Sequence, residues 1–208
     1  VTVDPDTRLF IAGHRGLVGS ALVRHFTKLG FSNLILRTSA ECDLRDAAAT
    51  EALFAETRPE AVIDAAALVG GIVANATRPA DFFSDNLRIQ VNLLDSAVAH
   101  GVQRFLFLGS SCIYPKHAPQ PIGETALLTG PLEGTNAAYA MAKLAGITHV
   151  QAIRRQHALP YICAMPANLY GPGDNFHPDT SHVLPAMIRR FHEAILAGAD
   201  DVTCWGTG

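Results

Sequence analysis

Gly13-His14-Arg15-Gly16-Leu17-Val18-Gly19 stands between a short apolar run, Arg8 to Ala12, and a stretch of helical periodicity that stops at Gly30. Leu17, Ala21, Leu22, Phe26 and Leu29 recur at steps of one helical face, so Leu17 to Leu29 is predicted as a helix and the run before the glycines as a strand. Glycines at such a junction solve a physical problem. The chain must turn sharply, present backbone N–H groups at the helix N-terminus to an anion, and pack the helix close to the strand. A side chain at any of the three glycines obstructs one of these. The spacing is GxxGxxG, and turns also collect glycine, so the weight comes from the position between first strand and first helix. Gly13, His14, Arg15, Gly16, Leu17, Val18 and Gly19 are therefore the expected cradle for the pyrophosphate of a dinucleotide.

Outward from this loop the pattern repeats. Asn33 to Arg37 reads as a second strand, Ala47 to Glu56 as a helix stopped before Pro59, and Ala61 to Ala66 as a third strand. A long helix fits Asp81 to His100, closed by Gly101. Arg104 to Gly109 is a strand apolar enough to be covered on both faces. A helix from Ala137 to His157 and a strand from Tyr161 to Met165 complete the series. This alternation predicts an α/β fold with a doubly wound parallel sheet of the Rossmann type, without revealing strand order. After Pro166 the character changes. Asn168 to Thr180 is dense in Gly, Pro, Asn and Asp and reads as loop, Ser181 to Ala197 as a helix, and Asp201 to Trp205 as a strand. The expected division is a dinucleotide-binding domain over 1–175 and, over 176–208, the beginning of a smaller C-terminal substrate lobe that needs more chain.

Composition removes several classes of function. With 49% hydrophobic and 17% charged residues, the chain has the balance of an ordinary globular protein. No apolar run of about 18 residues suggests a membrane span. The polar start, with Asp4 and Asp6, is unlike a signal peptide. A net charge of −3 with no basic stripe argues against nucleic acid. Cys42, Cys112, Cys163 and Cys204 form no CxxC pair, so no metal and no disulfide framework is expected, and the cytoplasm is the expected compartment.

The end of the second strand bears on cofactor choice. An acid there grips the adenosine 2′-hydroxyl, whereas a cation tolerates a 2′-phosphate. Arg37 ends the strand and Arg15 lies in the glycine loop, which points to NADP; Glu41 is the counter-argument, and Arg37 also reads as plain surface charge.

Tyr139-Ala-Met-Ala-Lys143 sets a phenol and an ammonium one helical turn apart on one face. A free phenol has a pKa near 10; a neighbouring ammonium favours the phenolate and lowers it, which suits proton exchange with a carbonyl or alcohol oxygen. Alone, the pair reads equally as a surface Tyr beside a surface Lys. Its company changes this. The strand before it ends in Gly109-Ser110-Ser111-Cys112-Ile113-Tyr114-Pro115, and the C-terminal ends of parallel strands are where such folds hold ligands. A serine hydroxyl there can donate to a substrate carbonyl and accept from Tyr139.

The glycine loop, the serine and YxxxK together resemble the extended short-chain dehydrogenase/reductase superfamily. Within it, Ala12-Gly-His-Arg-Gly16, Val69-Gly-Gly-Ile-Val-Ala-Asn75, Gly109-Ser-Ser-Cys-Ile-Tyr-Pro-Lys116, Asn168-Leu-Tyr-Gly-Pro172 and Asp174-Asn-Phe-His-Pro178 resemble the GDP-L-fucose synthases, the GDP-4-keto-6-deoxymannose 3,5-epimerase/4-reductases. The resemblance runs from about residue 8 to residue 208. It implies that Cys112 and His182 exchange protons at C3 and C5 of the sugar, both acidified by the C4 ketone. Hydride from NADPH then goes to C4, Tyr139 supplies the proton, Ser110 orients the oxygen, and Lys143 holds the nicotinamide ribose. It further implies that Leu108, Gly109, Ser110, Ser111, Pro166, Ala167, Asn168, Leu169 and His182 line the cofactor. Asn168, Arg190 and Trp205 would meet GDP-4-keto-6-deoxy-D-mannose, the guanidinium on diphosphate and the indole by stacking. Each has a plainer reading: Cys112 as a packed thiol, His182 as a residue of a helix start, Trp205 as core. A homodimer is expected.

Two departures matter. Ser39 stands in a segment that is usually basic in these enzymes, and the chain reaches Gly208 where the resemblance implies about a hundred further residues. Two rivals are a 4,6-dehydratase, which needs an acidic pair where Ser111 and Cys112 stand, and an NAD-dependent nucleotide-sugar 4-epimerase, which needs no base at C3 or C5. A third is a non-catalytic dinucleotide sensor, which commonly lacks the Tyr or the Lys.

Overall fold

The computed structural model describes residues 3–178 and 180–204. Among these residues five strands form one parallel sheet: β1 (Leu9–Ala12), β2 (Leu34–Ile35), β3 (Ala61–Asp64), β4 (Arg104–Leu108) and β5 (Ile162–Ala164). Their spatial order is β2-β1-β3-β4-β5. From β1 the chain runs outward to β2 and then crosses back to β3 on the other side. The switch point therefore lies between β1 and β3, and the crevice outside their C-terminal ends is where this topology holds ligands. Among the described residues six α-helices connect and flank the strands: α1 (Leu17–Lys28), α2 (Ala47–Thr57), α3 (Ile72–Thr77), α4 (Pro79–Ala99), α5 (Ala137–His157) and α6 (Val183–Ala197). None of the described helices is long and apolar enough to cross a membrane.

Alternation along the strands sends residues to two cores. Leu9, Ile11, Ala61 and Ile63 pack on one face against Leu22, Val23 and Phe26 of α1. Phe10, Val62, Phe105 and Phe107 point the other way, toward Leu93 and Leu94 of α4 and Leu144, Ile147 and Val150 of α5. Burying a side chain of this size contributes about 1.5–3 kcal/mol, so this second face anchors the molecule. Gly146 sets how closely α5 approaches. A methyl there would overlap the Phe107 ring and lie 2.7 Å from Gln90 Oε1. Gln90 Nε2 in turn donates to the Ala142 carbonyl at 2.7 Å, tying α4 to α5.

Most elements match their sequence-based bounds, with three corrections. The second strand is two residues long rather than five, because only Leu34 and Ile35 pair with Leu9 and Phe10. Ile72–Thr77 is a short helix where no element was expected. Asp201 to Cys204 carries no strand; β5 is the sheet edge and nothing among the described residues pairs with its outer side.

Candidate active site

The glycine loop is built as its sequence demands. Gly13 has φ +72, a left-handed conformation that a side chain would strain. A methyl on it would stand 2.6 Å from the Ala65 carbonyl oxygen and 2.7 Å from Ala66 Cα, so the ends of β1 and β3 meet backbone to backbone. Gly19, in the first turn of α1, could carry no Cβ either. It would overlap the Gly13 carbonyl and lie 2.7 Å from His14 Cα. Gly16 N–H donates to Gly13 O at 3.0 Å and closes the turn. No side chain caps α1, so the first-turn N–H groups around Leu17, Val18 and Gly19 are presented outward with the positive end of the helix dipole. Arg15 is exposed beside them, and the half-buried His14 has an Nδ1 with no hydrogen-bond partner among the described residues. A bare backbone surface that a Cβ would fill fits a pyrophosphate.

Next to it, Arg37 is partly committed: its guanidinium donates to the Leu36 carbonyl at 3.1 Å and lies 3.5 Å from Glu56. Glu41 is exposed and folds back on its own loop. Its carboxylate accepts from Thr38 N–H at 2.7 Å and Thr38 Oγ1 at 2.8 Å, which holds its pKa below the usual carboxylate range. Ser39 is exposed.

At the end of β4 the chain bends through Ser110 into a 3₁₀ turn, Ser111–Ile113. Ser110 Oγ accepts from Cys112 N–H at 3.3 Å and forms a hydrogen bond with Tyr139 that favours the phenolate. Cys112 is half-buried and close enough to Tyr139 for its charge to act on the phenol. Lys143, one turn along α5 from Tyr139, is 4% exposed. Its Nζ donates to the Leu108 carbonyl at 2.9 Å and sits 4.8 Å over the Phe107 ring. The sequence therefore brings Ser110, Cys112, Tyr139 and Lys143 to one place.

The expected lowering of the Tyr139 pKa does not occur. Burial is the largest cause and pushes the phenol up to about 12, with the charges of Cys112 and Asp64 adding to the rise and only the Ser110 bond opposing it. Burial also disfavours the Lys143 ammonium. The geometry thus keeps a proton on Tyr139, which suits an acid that gives its proton to a nascent alkoxide.

The two loops named for the cofactor are adjacent. Gly109 N–H donates to Ala164 O at 2.8 Å and Ser111 N–H to Pro166 O at 3.2 Å, which sets Leu108 to Ser111 beside Pro166. Ala167, Asn168 and Leu169 are exposed beyond it, and the chain then passes back toward α1, where a side chain on Gly173 would stand 3.6 Å from Ser20 Oγ. His182 is exposed and stands as the residue before α6; its carbonyl accepts from Ala186 N–H at 3.1 Å, and its ring makes no capping hydrogen bond among the described residues. Arg190 is half-buried on α6. Trp205 lies outside the described residues.

Sequence reading gave no role to three features the structure gathers here. A methyl on Gly71 would be 3.1 Å from the Ser181 carbonyl, so the Val69–Asn75 segment meets the residue before His182. Asn136, three residues before Tyr139, has a buried Oδ1 with no hydrogen-bond partner among the described residues. Asp64, the last residue of β3, is buried, with one oxygen unpartnered among the described residues. An acid ending an otherwise apolar strand was the available signal for Asp64.

A profile of the NAD dependent epimerase/dehydratase family matches residues 9–208. The chain belongs to this family. Among epimerase/dehydratase relatives, it is 60% identical to GDP-L-fucose synthase 1 of Arabidopsis thaliana over 205 residues, 99% of this chain and 64% of that one. It is 53% identical to the GDP-L-fucose synthase of Escherichia coli K12, over 97% of this chain and 63% of that one. A crystal structure of a GDP-L-fucose synthetase from Naegleria fowleri bound to NADP superposes with a TM-score of 0.87 at 30% identity, covering all of this chain and 68% of that one. The chain therefore spans just under two thirds of the length of these two sequence relatives.

Proposed function

We propose that this chain carries the reaction centre of a GDP-L-fucose synthase, which epimerises GDP-4-keto-6-deoxy-D-mannose at C3 and C5 and reduces C4 with NADPH. The observation that carries the reading is a thiol, Cys112, beside half-buried Ser110 and Tyr139 and buried Lys143, where the end of β4 meets α5. Plain oxidation and re-reduction at C4 needs the cluster but not the thiol. The similarity to GDP-L-fucose synthases supports the same reading.

NADPH supplies a hydride when bound. The glycine turn and the α1 N-terminus would hold its pyrophosphate, and Arg15, with Arg37, its 2′-phosphate. Glu41 Oε2, the oxygen of the one acid in this segment, is engaged by Thr38, which is consistent with cations rather than an acid meeting the adenosine ribose. Lys143 would hold the nicotinamide ribose. Cys112 acts as proton carrier on one face of the keto sugar and His182 on the other. Ser110 orients the C4 oxygen, and Tyr139, held protonated by its burial, delivers the proton to it. Asn168 and Arg190 would meet the GDP moiety. A homodimer in the cytoplasm is the expected context.

The test is solvent deuterium entering C3 and C5 of the keto sugar in the complete protein, read by mass spectrometry. In Cys112→Ser the exchange should fall by about 10²-fold or more, because a hydroxyl is a far weaker base than a thiolate. His182→Gln should lose exchange at one carbon. Reduction that persists should give the unepimerised 6-deoxy sugar. Wild-type exchange at both carbons in both variants would make Cys112 a packed thiol and favour a plain reductase or 4-epimerase.

A further inference from the structure

We propose that Asp64 is a positioning residue of this site, a buried counter-charge that acts through Lys143 to keep the Lys143–Tyr139 pair loaded with its protons. The inference deepens the reading above and rests on it. Asp64 pairs in register with Phe107 on the neighbouring parallel strand, so the two side chains leave the sheet on the same face. That face is the one α5 covers, and Lys143 Nζ lies 4.8 Å over the same Phe107 ring while donating to the next carbonyl, Leu108. Carboxylate and ammonium thus converge on one residue pair at the sheet end without a direct ion pair among the described residues. Asp64 is 1% exposed. Its Oδ1 accepts from Ala66 N–H at 3.1 Å, and its Oδ2 has no hydrogen-bond partner among the described residues.

A carboxylate in such a place is costly, and an apolar residue would fill the end of β3 without that cost. Its charge has a definite effect on each neighbour. It favours the ammonium of Lys143, which burial alone drives toward the neutral amine. It disfavours the phenolate of Tyr139. Both effects keep a proton where reduction of a ketone needs one. The groups that share this end of the sheet are Lys143 and Tyr139 on α5, Cys112 in the turn after β4 and His14 after β1. The polar residues that α4 buries, Asn86 and Gln90, are neutral amides that donate to the Leu68 and Ala142 carbonyls, and Ser96 is a neutral hydroxyl. Lys143 is thus the cation that Asp64 can act on.

The experiment uses Asp64→Asn, close in shape and without the charge, in the complete protein. The alkaline limb of the pH profile for NADPH-dependent reduction should move down by about one unit, because Lys143 and Tyr139 then lose their protons earlier. NADPH affinity at pH 6.5, followed by nicotinamide fluorescence, should change less than about threefold, since Asp64 is proposed to act on the proton of Lys143 and not on the contacts that hold the cofactor. On a Lys143→Met background, Asp64→Asn should alter the residual rate less than about twofold, since the group it acts through is gone. An unmoved alkaline limb, or a full loss on the Lys143→Met background, would overturn the proposal. A further measurement needs neither substrate nor a change at Asp64. Carboxyl ¹³C NMR should show Asp64 titrating at higher pH in Lys143→Met than in wild type, and equal midpoints would also overturn it. If that shift appears while wild type fails to turn over the keto sugar, the placement of Asp64 stands and the reaction assigned to the site falls.

Discussion

The two ends of the chain treat apolar residues in opposite ways. Around β1, β3 and β4, Phe10, Leu93, Phe105 and Phe107 are essentially without solvent, and glycines at 13, 19 and 146 stand where a single methyl would collide. On α6, Val183 is 70% exposed and Ile195 77%, with Leu184, Ile188, Phe191 and Leu196 exposed beside them. The difference separates two kinds of chemistry. Ser110, Tyr139 and Lys143, the groups proposed to hold a dinucleotide and move a proton to oxygen, lie where α5 packs closely on the sheet. His182 and Arg190 are carried by an element that the described residues leave largely uncovered. Preorganisation therefore belongs to the sheet end, and the groups proposed for the substrate depend on what else packs against α6.

The comparison breaks most readily at Gly19. Alanine there would overlap the Gly13 carbonyl, which is backbone and cannot swing aside, so α1 must move off β1. The expected outcome is a loss of about 3 kcal/mol or more in chemical denaturation, together with loss of NADPH binding. An alanine variant that melted like wild type and still bound cofactor would mean that the tight packing is not what shapes this end.

Asp64 offers a finer probe of the same region. Burial pushes its carboxyl up to about 6 from an ordinary value near 3.8. The native state therefore holds a proton that the unfolded state has released, and stability attributable to this group falls as pH rises from about 4 through 6. Asp64→Asn removes that linkage. The stability of the variant relative to wild type should grow by on the order of 3 kcal/mol between pH 4 and pH 8 in paired urea melts, other carboxylates cancelling in the difference. A difference flat across this window would place Asp64 in water rather than behind Lys143.

These residues also mark how far the sequence could be read. The glycine spacing, the turn from β4 into Ser110, and the Tyr139–Lys143 interval are local patterns, and the structure brings them together as local patterns would suggest. Strand order was not legible, since it depends on which strands pair across the sheet. The length of β2 was not either: Leu36 and Arg37 have strand-like composition but no partner on β1. The direction of the Tyr139 shift was misread because a four-residue interval says nothing of burial, and burial outweighs the neighbouring ammonium. Asp64 carries no motif at all. Its meaning appears only when register sets it against Phe107 and α5 sets Lys143 above.

The smallest effect tests the other side of the comparison. Ile195 and Leu93 are both apolar helix residues, and a sequence-based reading would treat them alike. Leu93 is fully buried on α4, so Leu93→Ala should cost about 2–5 kcal/mol through lost transfer energy and the cavity left behind. Ile195 is 77% exposed, so little of its surface leaves water on folding and no cavity can form. Ile195→Ser in the 208-residue chain should change stability by no more than about 0.5 kcal/mol, with only the modest difference in helix propensity to register. Measured side by side by urea denaturation, the two substitutions should differ severalfold. If Ile195→Ser cost more than about 1.5 kcal/mol, the face of α6 would be packed against something in solution. The contrast between a preorganised sheet end and a dependent substrate side would then no longer hold, and His182 and Arg190 would have to be counted among the fixed groups of the site.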